Sequence, residues 1–139
     1  MGYGSGITSD VRKGTLKIAC AAGSFNSAGI AGSVENPMAE EILIDRIVVE
    51  IKTAAEAASV LMVGVGDNAA DNVENAACDF MAINALNVGV YTGIKAGINA
   101  NCRVAKKGAA ANAFILVGAD VPANADSLVA DVYVDYIIP

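Results

Sequence analysis

The chain has 139 residues and a mass of 14.0 kDa, enough for one domain and short of two. Nine Lys and Arg against fifteen Asp and Glu give a net charge of −6 and a pI near 4.4, the wrong sign for a protein that grips nucleic acid by neutralising phosphates. There is no His, which removes the commonest general base, the usual Ser and Cys triads and most zinc chemistry.

Residues 1–13 read as an extended arm, rich in Gly and Ser, with Met1, Tyr3, Ile7 and Val11 as its few large apolar side chains and Arg12-Lys13 at its end. Such a segment packs no core of its own and is either disordered or laid on a neighbour. From Gly14 to Pro139 the chain reads as one domain. Thr15 to Cys20 alternates as a strand with Leu16, Ile18 and Cys20 inward. A small-residue stretch follows, with a short strand at Ile30 to Val34, then the turn signal Asn36-Pro37.

Residues 41–52, EILIDRIVVEIK, form the clearest element. Ile47, Val49 and Ile51 share one parity, whereas Ile42 and Ile44 sit on the other. The inward phase therefore slips near Asp45-Arg46, and one extra residue in a β-bulge there restores a single buried face. A bent strand shared by two sheets is the alternative. Residues 53–59 are a connection. Val60 to Gly66 is a nearly continuous apolar strand, a pattern that suits burial on both faces or a subunit contact.

After a polar loop come strands near Phe80 to Ile83 and Leu86 to Tyr91, a loop over 92–102 and a short strand at Arg103 to Lys106. A turn in KKGAAAN and an apolar strand from Ala113 to Ala119 follow. The last segment, SLVADVYVDYIIP, alternates with Leu128, Ala130, Val132, Val134 and Tyr136 on one face and Asp131, Tyr133 and Asp135 on the other. Short strands at turn spacings near ten residues, with no amphipathic helix, predict an all-β antiparallel sandwich or barrel. A jelly roll and an immunoglobulin-like sandwich both fit that pattern. Hydrophobic residues make up 55% of the chain but aromatics only 5%, so Ala (27 residues), Val and Ile fill the core. The lean core implies that part of the stability is shared with neighbouring subunits.

Few residues suggest chemistry. Gly64-Val65-Gly66 begins a dinucleotide-like fingerprint, but a polar loop follows where a helix is required. Asp67, Asp71 and Glu74 place oxygen ligands in that loop without the spacing of a calcium site, and Asp and Asn are ordinary turn formers. No metal or other cofactor is expected. Acid pairs for sugar hydrolysis lack stacking aromatics, since the chain has no Trp. Cys20, Cys78 and Cys102 are an odd, widely spaced set that reads as small core residues in a reducing compartment. No signal peptide or bilayer-length apolar run is seen, so a non-enzymatic protein assembled in a cytoplasm, without membrane or nucleic-acid partners, is expected. Tyr133, outward between Asp131 and Asp135, is a candidate contact residue.

The order in residues 36–66, NPMAEEILIDRIVVEIKTAAEAASVLMVGVG, is Asn-Pro, an apolar strand with a central Arg, a Thr/Ala-rich connection, and a strand ending in Gly-x-Gly. With DNVENAACDFMAINALNVGVYTGI and the closing VADVYVDYII, it resembles the capsid decoration or cement proteins of tailed bacteriophages and prophages. The resemblance implies a jelly-roll-like sandwich, a homodimer or homotrimer, a place on the outer capsid surface against the major capsid protein, assembly in the bacterial host cytoplasm, and no catalysis. Tyr3, Ile7, Val11, Arg12 and Lys13 are then the expected reach to an adjacent capsid subunit, with Tyr133 as a further contact. A receptor- or glycan-binding sandwich of a phage fibre or tail, and a self-assembling filament subunit, are the alternative readings.

Overall fold

The structure, a computed structural model, describes residues 12–69, 78–93 and 102–139. They form β1 (Arg12–Cys20), β2 (Ile30–Glu35), β3 (Ile42–Thr53), β4 (Val60–Gly66), β5 (Cys78–Asn84), β6 (Gly89–Gly93), β7 (Arg103–Val104), β8 (Phe114–Ala119) and β9 (Val129–Ile138), with no helix among them. The first sheet has the order β1-β9-β3-β6, with β7 beside the start of β3; the second has the order β2-β8-β4-β5. Every pairing is antiparallel. An immunoglobulin sandwich keeps its first two strands in one sheet. Here β1 and β2 lie in different sheets, and apart from the two-residue β7 the strand order is that of a jelly roll.

The predicted phase slip in β3 is present. Its pairing with β9 steps from Ile44↔Tyr136 to Arg46↔Asp135, leaving Asp45 as the extra residue. Ile42 and Ile44 before the bulge and Ile47, Val49 and Ile51 after it are therefore buried in the same core. The strand stays in one sheet, and the bent-strand alternative falls. Among the described residues Phe80 is the largest fully buried side chain; around it Ile, Leu and Val from both sheets fill the interior. Tyr136 lies over Gly14, where a Cβ would come 2.3 Å from its hydroxyl oxygen. That hydroxyl donates to the Met38 sulfur at 3.9 Å.

Asn36 does more than mark a turn. It is fully buried, and its Nδ2 donates to the carbonyls of Glu40 (3.0 Å) and Ala105 (2.9 Å) while its Oδ1 accepts from the Met38 amide (2.9 Å). A buried amide so satisfied fixes the β2–β3 turn against the segment before β8. The loops 21–29, 54–59, 85–88 and 120–128 gather at the opposite end of the sandwich. They are tied by Gly23 N–H to Asp126 O (2.7 Å), Ala55 N–H to Ala85 O (2.9 Å), Ala85 N–H to Ser59 O (3.0 Å) and Glu56 N–H to Asn124 O (3.0 Å).

Two boundaries differ from the sequence reading. β1 begins at Arg12, so Arg12 and Lys13 belong to a strand that pairs with Ile138 and Ile137. The expected strand at Leu86 begins only at Gly89, because Asn84 Oδ1 accepts the Leu86 amide (2.9 Å) and turns the chain.

If the bulge sets the phase of β3, deleting Asp45 is far worse than replacing it. Asp45→Ala, at an exposed position, should change stability by less than about 0.5 kcal/mol. Deletion turns Ile42 and Ile44 outward and should cost roughly 3–6 kcal/mol, at ~1.5–3 for each side chain exposed. Urea denaturation measures both; equal costs would contradict this role for the bulge.

Candidate contact surfaces

The two outward sheet faces differ in chemistry. The strands of the first sheet carry Arg12, Lys13, Lys17, Arg46, Lys52 and Arg103. The strands of the second carry no base and only two acids, Glu35 and Asp79.

On the first sheet the outward residues of β9 are held from both sides. Asp131 is only 7% exposed, with Lys52 Nζ at 2.7 Å and Lys17 Nζ at 3.8 Å from its Oδ2. The Lys52 hydrogen bond, aided by the charge of Lys17, holds the Asp131 carboxyl below the ordinary range despite its burial, and Asp131 in turn raises Lys52. Asp135 accepts from Arg46 Nε (3.1 Å), Arg46 Nη2 (3.0 Å) and the Thr15 hydroxyl (2.7 Å). Tyr133 stands between them, half-buried beside Val48, with the Lys17 ammonium 5.7 Å from its ring centroid. Arg12 pairs with Glu40 and Arg103 with Glu41. This ladder joins β1, β9 and β3 and neutralises its own charges.

The second sheet bears a separate apolar cluster on its outside. β4 and β8 alternate so that Leu61, Val63, Ile115 and Val117 point into the core, while Met62 and Leu116 point away from it. Met62, Leu116 and Ile30 are buried there, and Ala28, Val60, Ala82 and Phe114 surround them partly exposed. β4 is thus buried on both faces, as its continuous apolar run suggested. The cluster runs into an open groove of about 600 Å³ whose lining includes Val60, Ala82, Ile83, Leu86, Asp120 and Val121. Leu86 (42% exposed) and Val121 (40%) form its lip, and Val88 (63%) and Val90 (65%) continue around the β5–β6 corner. Asp120 accepts from the Ser59 hydroxyl (3.1 Å) and the Val60 amide (2.8 Å), which fixes the groove floor.

Of the sequence candidates, Arg12 and Lys13 are exposed on the edge strand β1, and Tyr133 is part of the charged ladder. Tyr3, Ile7 and Val11 lie outside the described residues, as do Asp71 and Glu74. Asp67 is exposed, and its Oδ1 accepts the Asn112 amide (3.0 Å), a turn role. Among the described residues no group of three His, Cys, Asp or Glu is placed to hold a metal ion. Burial, with the Asp131 charge adding to it, pushes the Cys20 thiol up to about 12, so it is no nucleophile at neutral pH. The apolar groove was missed because Leu86 and Val88 were assigned to a strand; Asn84 and Asn87, both turn formers, were the available signal.

The ladder has a pH signature. Asp131, lowered in the folded state, stabilises above the ordinary carboxylate value, and that contribution is lost as pH falls below about 4. Lys52, raised, contributes below about pH 10.4 and loses this as pH rises further. Cys20, also raised, adds a loss of up to about 1.4 kcal/mol per pH unit from pH 9 to 12. Asp131→Asn should lower Tm at pH 7 by a gap that narrows as pH falls below about 4, and Cys20→Ala should flatten the alkaline limb. Thermal melts across pH check both; a gap between Asp131→Asn and wild type that stays constant down to pH 3 would contradict the assignment.

No known protein family and no curated protein matches the chain. Among solved structures it is similar to a chain of the acidic stable capsid of Helicobacter pylori bacteriophage KHP30, at 15% identity and a TM-score of 0.47 over 93% of this chain and 94% of that one. It is also similar to a chain of the Mud crab tombus-like virus, at 12% identity and a TM-score of 0.43 over 92% of this chain and 77% of that one. The fold assignment rests on the strand order itself and not on these likenesses.

Proposed function

We propose that the protein is a virion structural protein that decorates a phage capsid and stabilises it by bridging neighbouring capsid subunits. The observation that carries this reading is the pair of chemically different outward faces on one sandwich, a charged ladder on one sheet and an apolar cluster on the other. A bridging protein needs two contact surfaces held at a fixed spacing. The hydrogen-bonded loop end and the buried Asn36 supply that rigidity. The resemblance of residues 36–66 to decoration proteins points the same way, and a jelly roll is a fold that capsid domains use.

In this reading the protein does mechanical work and no catalysis. Each contact with the shell is weak, and many act together once a subunit is held at two points. Residues Tyr3, Ile7 and Val11 reach an adjacent capsid subunit, with Arg12, Lys13 and Tyr133 at the base of that contact. Ordering the segment against the shell opposes binding entropically, and burial of its apolar side chains offsets that.

The test uses shells assembled from the major capsid protein of the genome that encodes this chain. The purified protein should co-sediment with them to a saturable stoichiometry and raise their melting temperature. Removing residues 2–11 should weaken binding at least tenfold, about 1.4 kcal/mol. Absence of binding by the full chain would overturn the decoration reading; undiminished binding by the shortened chain would overturn the role of the segment.

A further inference from the structure

In the loop between β1 and β2, Asn26 and Ser27 are both exposed. The Asn26 side-chain oxygen accepts two backbone amides, Ala28 N–H at 2.9 Å and Ile30 N–H at 3.0 Å. The main chain is tied as well: Asn26 N–H donates to Ile30 O (3.0 Å) and Gly29 N–H to Asn26 O (2.9 Å). Gly29, at φ +84°, lets this turn close against β8, where Ala119 N–H donates to Gly29 O (2.8 Å). Two groups are left over. Among the described residues no acceptor is placed for the Ser27 N–H, and none for Asn26 Nδ2. Other asparagines differ on these points. After Asn84, the Ala85 N–H donates to Ser59 O (3.0 Å). At Asn124, Ala125 N–H donates to Pro122 O (3.1 Å) and Nδ2 to Ala58 O (2.8 Å). Asn36 is buried, its Nδ2 is bonded, and Pro37 has no N–H. Asn112 precedes the fully buried Ala113, and Asn87 precedes the branched Val88.

We infer that Asn26 is a modification site: it deamidates spontaneously in the folded protein, with water as the only co-reactant. The Ser27 nitrogen gives its proton to a base in solution and attacks Asn26 Cγ. A bond from that nitrogen to Cγ forms, the Cγ–Nδ2 bond breaks, and Nδ2 takes up a proton and leaves as ammonia. Water then opens the resulting cyclic imide. Addition at Cγ gives aspartate, and addition at the main-chain carbonyl carbon gives isoaspartate. The free Ser27 N–H loses no hydrogen bond in the first step, and its small, unbranched side chain leaves the nitrogen accessible. The Ala28 and Ile30 amides point at the oxygen that gathers negative charge as Cγ becomes tetrahedral, as backbone donors do in an oxyanion hole. The unbonded Nδ2 is free to depart. The aspartate product keeps an oxygen for Ala28 and Ile30 and adds a negative charge. The isoaspartate product lengthens the main chain by a methylene between Asn26 and Ser27, so the bonds that hold Ile30 at the start of β2 no longer fit. Modification therefore accumulates with time and loosens that strand end without an enzyme. The inference concerns the chain alone and stands or falls without reference to any capsid.

Incubating the full chain at mildly alkaline pH tests it, with peptide mapping by mass spectrometry and isoaspartate-specific methylation as the readouts. In the folded protein Asn26 should convert at least roughly tenfold faster than Asn36, Asn84, Asn87, Asn112 and Asn124, to a mixture of aspartate and isoaspartate. In guanidinium chloride the hydrogen bonds around Asn84 and Asn124 are lost, both should gain reactivity, and the lead of Asn26 over them should shrink to a few-fold. Ser27→Val, an exposed change that puts a branched side chain beside the attacking nitrogen, should slow conversion of Asn26 by roughly tenfold. Thermal melts establish that this variant is folded. Conversion of Asn26 no faster than that of Asn84 or Asn124 in the folded protein would overturn the inference. So would a lead that is unchanged in guanidinium chloride, or a rate indifferent to Ser27→Val.

Discussion

A two-sheet sandwich must present two broad outer faces, and this chain places every basic residue of its strands in only one of the two sheets. All six Lys and Arg of the strands lie in the first sheet, where Arg12, Lys17, Arg46, Lys52 and Arg103 meet Asp131, Asp135, Glu40 and Glu41. The second sheet is left with mostly small and apolar residues beside Glu35 and Asp79, and Met62 and Leu116 are buried on the side away from the core. An apolar outer face in water is a standing drive toward association. The proposed place in a larger assembly follows from that partition of charge.

The partition requires that each strand keep one phase along its whole length. β3 is the test case: without the extra residue at Asp45, either its first two isoleucines or its last apolar residues would leave the core. The bulge also keeps Arg46, Glu50 and Lys52 on the outer face, where Arg46 and Lys52 reach β9. At one end of the molecule Asn36 binds the β2–β3 turn to the segment carrying Lys106 and Lys107. At the other, backbone hydrogen bonds link four loops around the groove. The charged groups flanking the apolar face are thus carried on ordered parts of the fold.

Much of this was legible in the sequence because alternation is a local signal. The phase slip in EILIDRIVVEIK located the bulge, and the unbroken run VLMVGVG indicated a strand covered twice. What escaped was non-local. Asn36 read as a turn residue, since nothing in the sequence shows which carbonyls its amide will meet from residues 40 and 105. Asp131 read as an outward charge, yet lysines from β1 and β3, more than seventy positions away, close over it. Leu86 and Val88 read as strand because apolar alternation outweighed the two flanking asparagines. The jelly-roll order was beyond periodicity, since it depends on which strands cross between sheets.

Hydroxyl-radical footprinting of side chains, on the full protein free and bound to shells of the major capsid protein, addresses the central claim most directly. If both outward faces are contact surfaces of a bridging protein, Phe114, Leu86 and Val121 on the second sheet and Tyr133 on the first should lose reactivity on binding. Unchanged reactivity on either face would contradict the account.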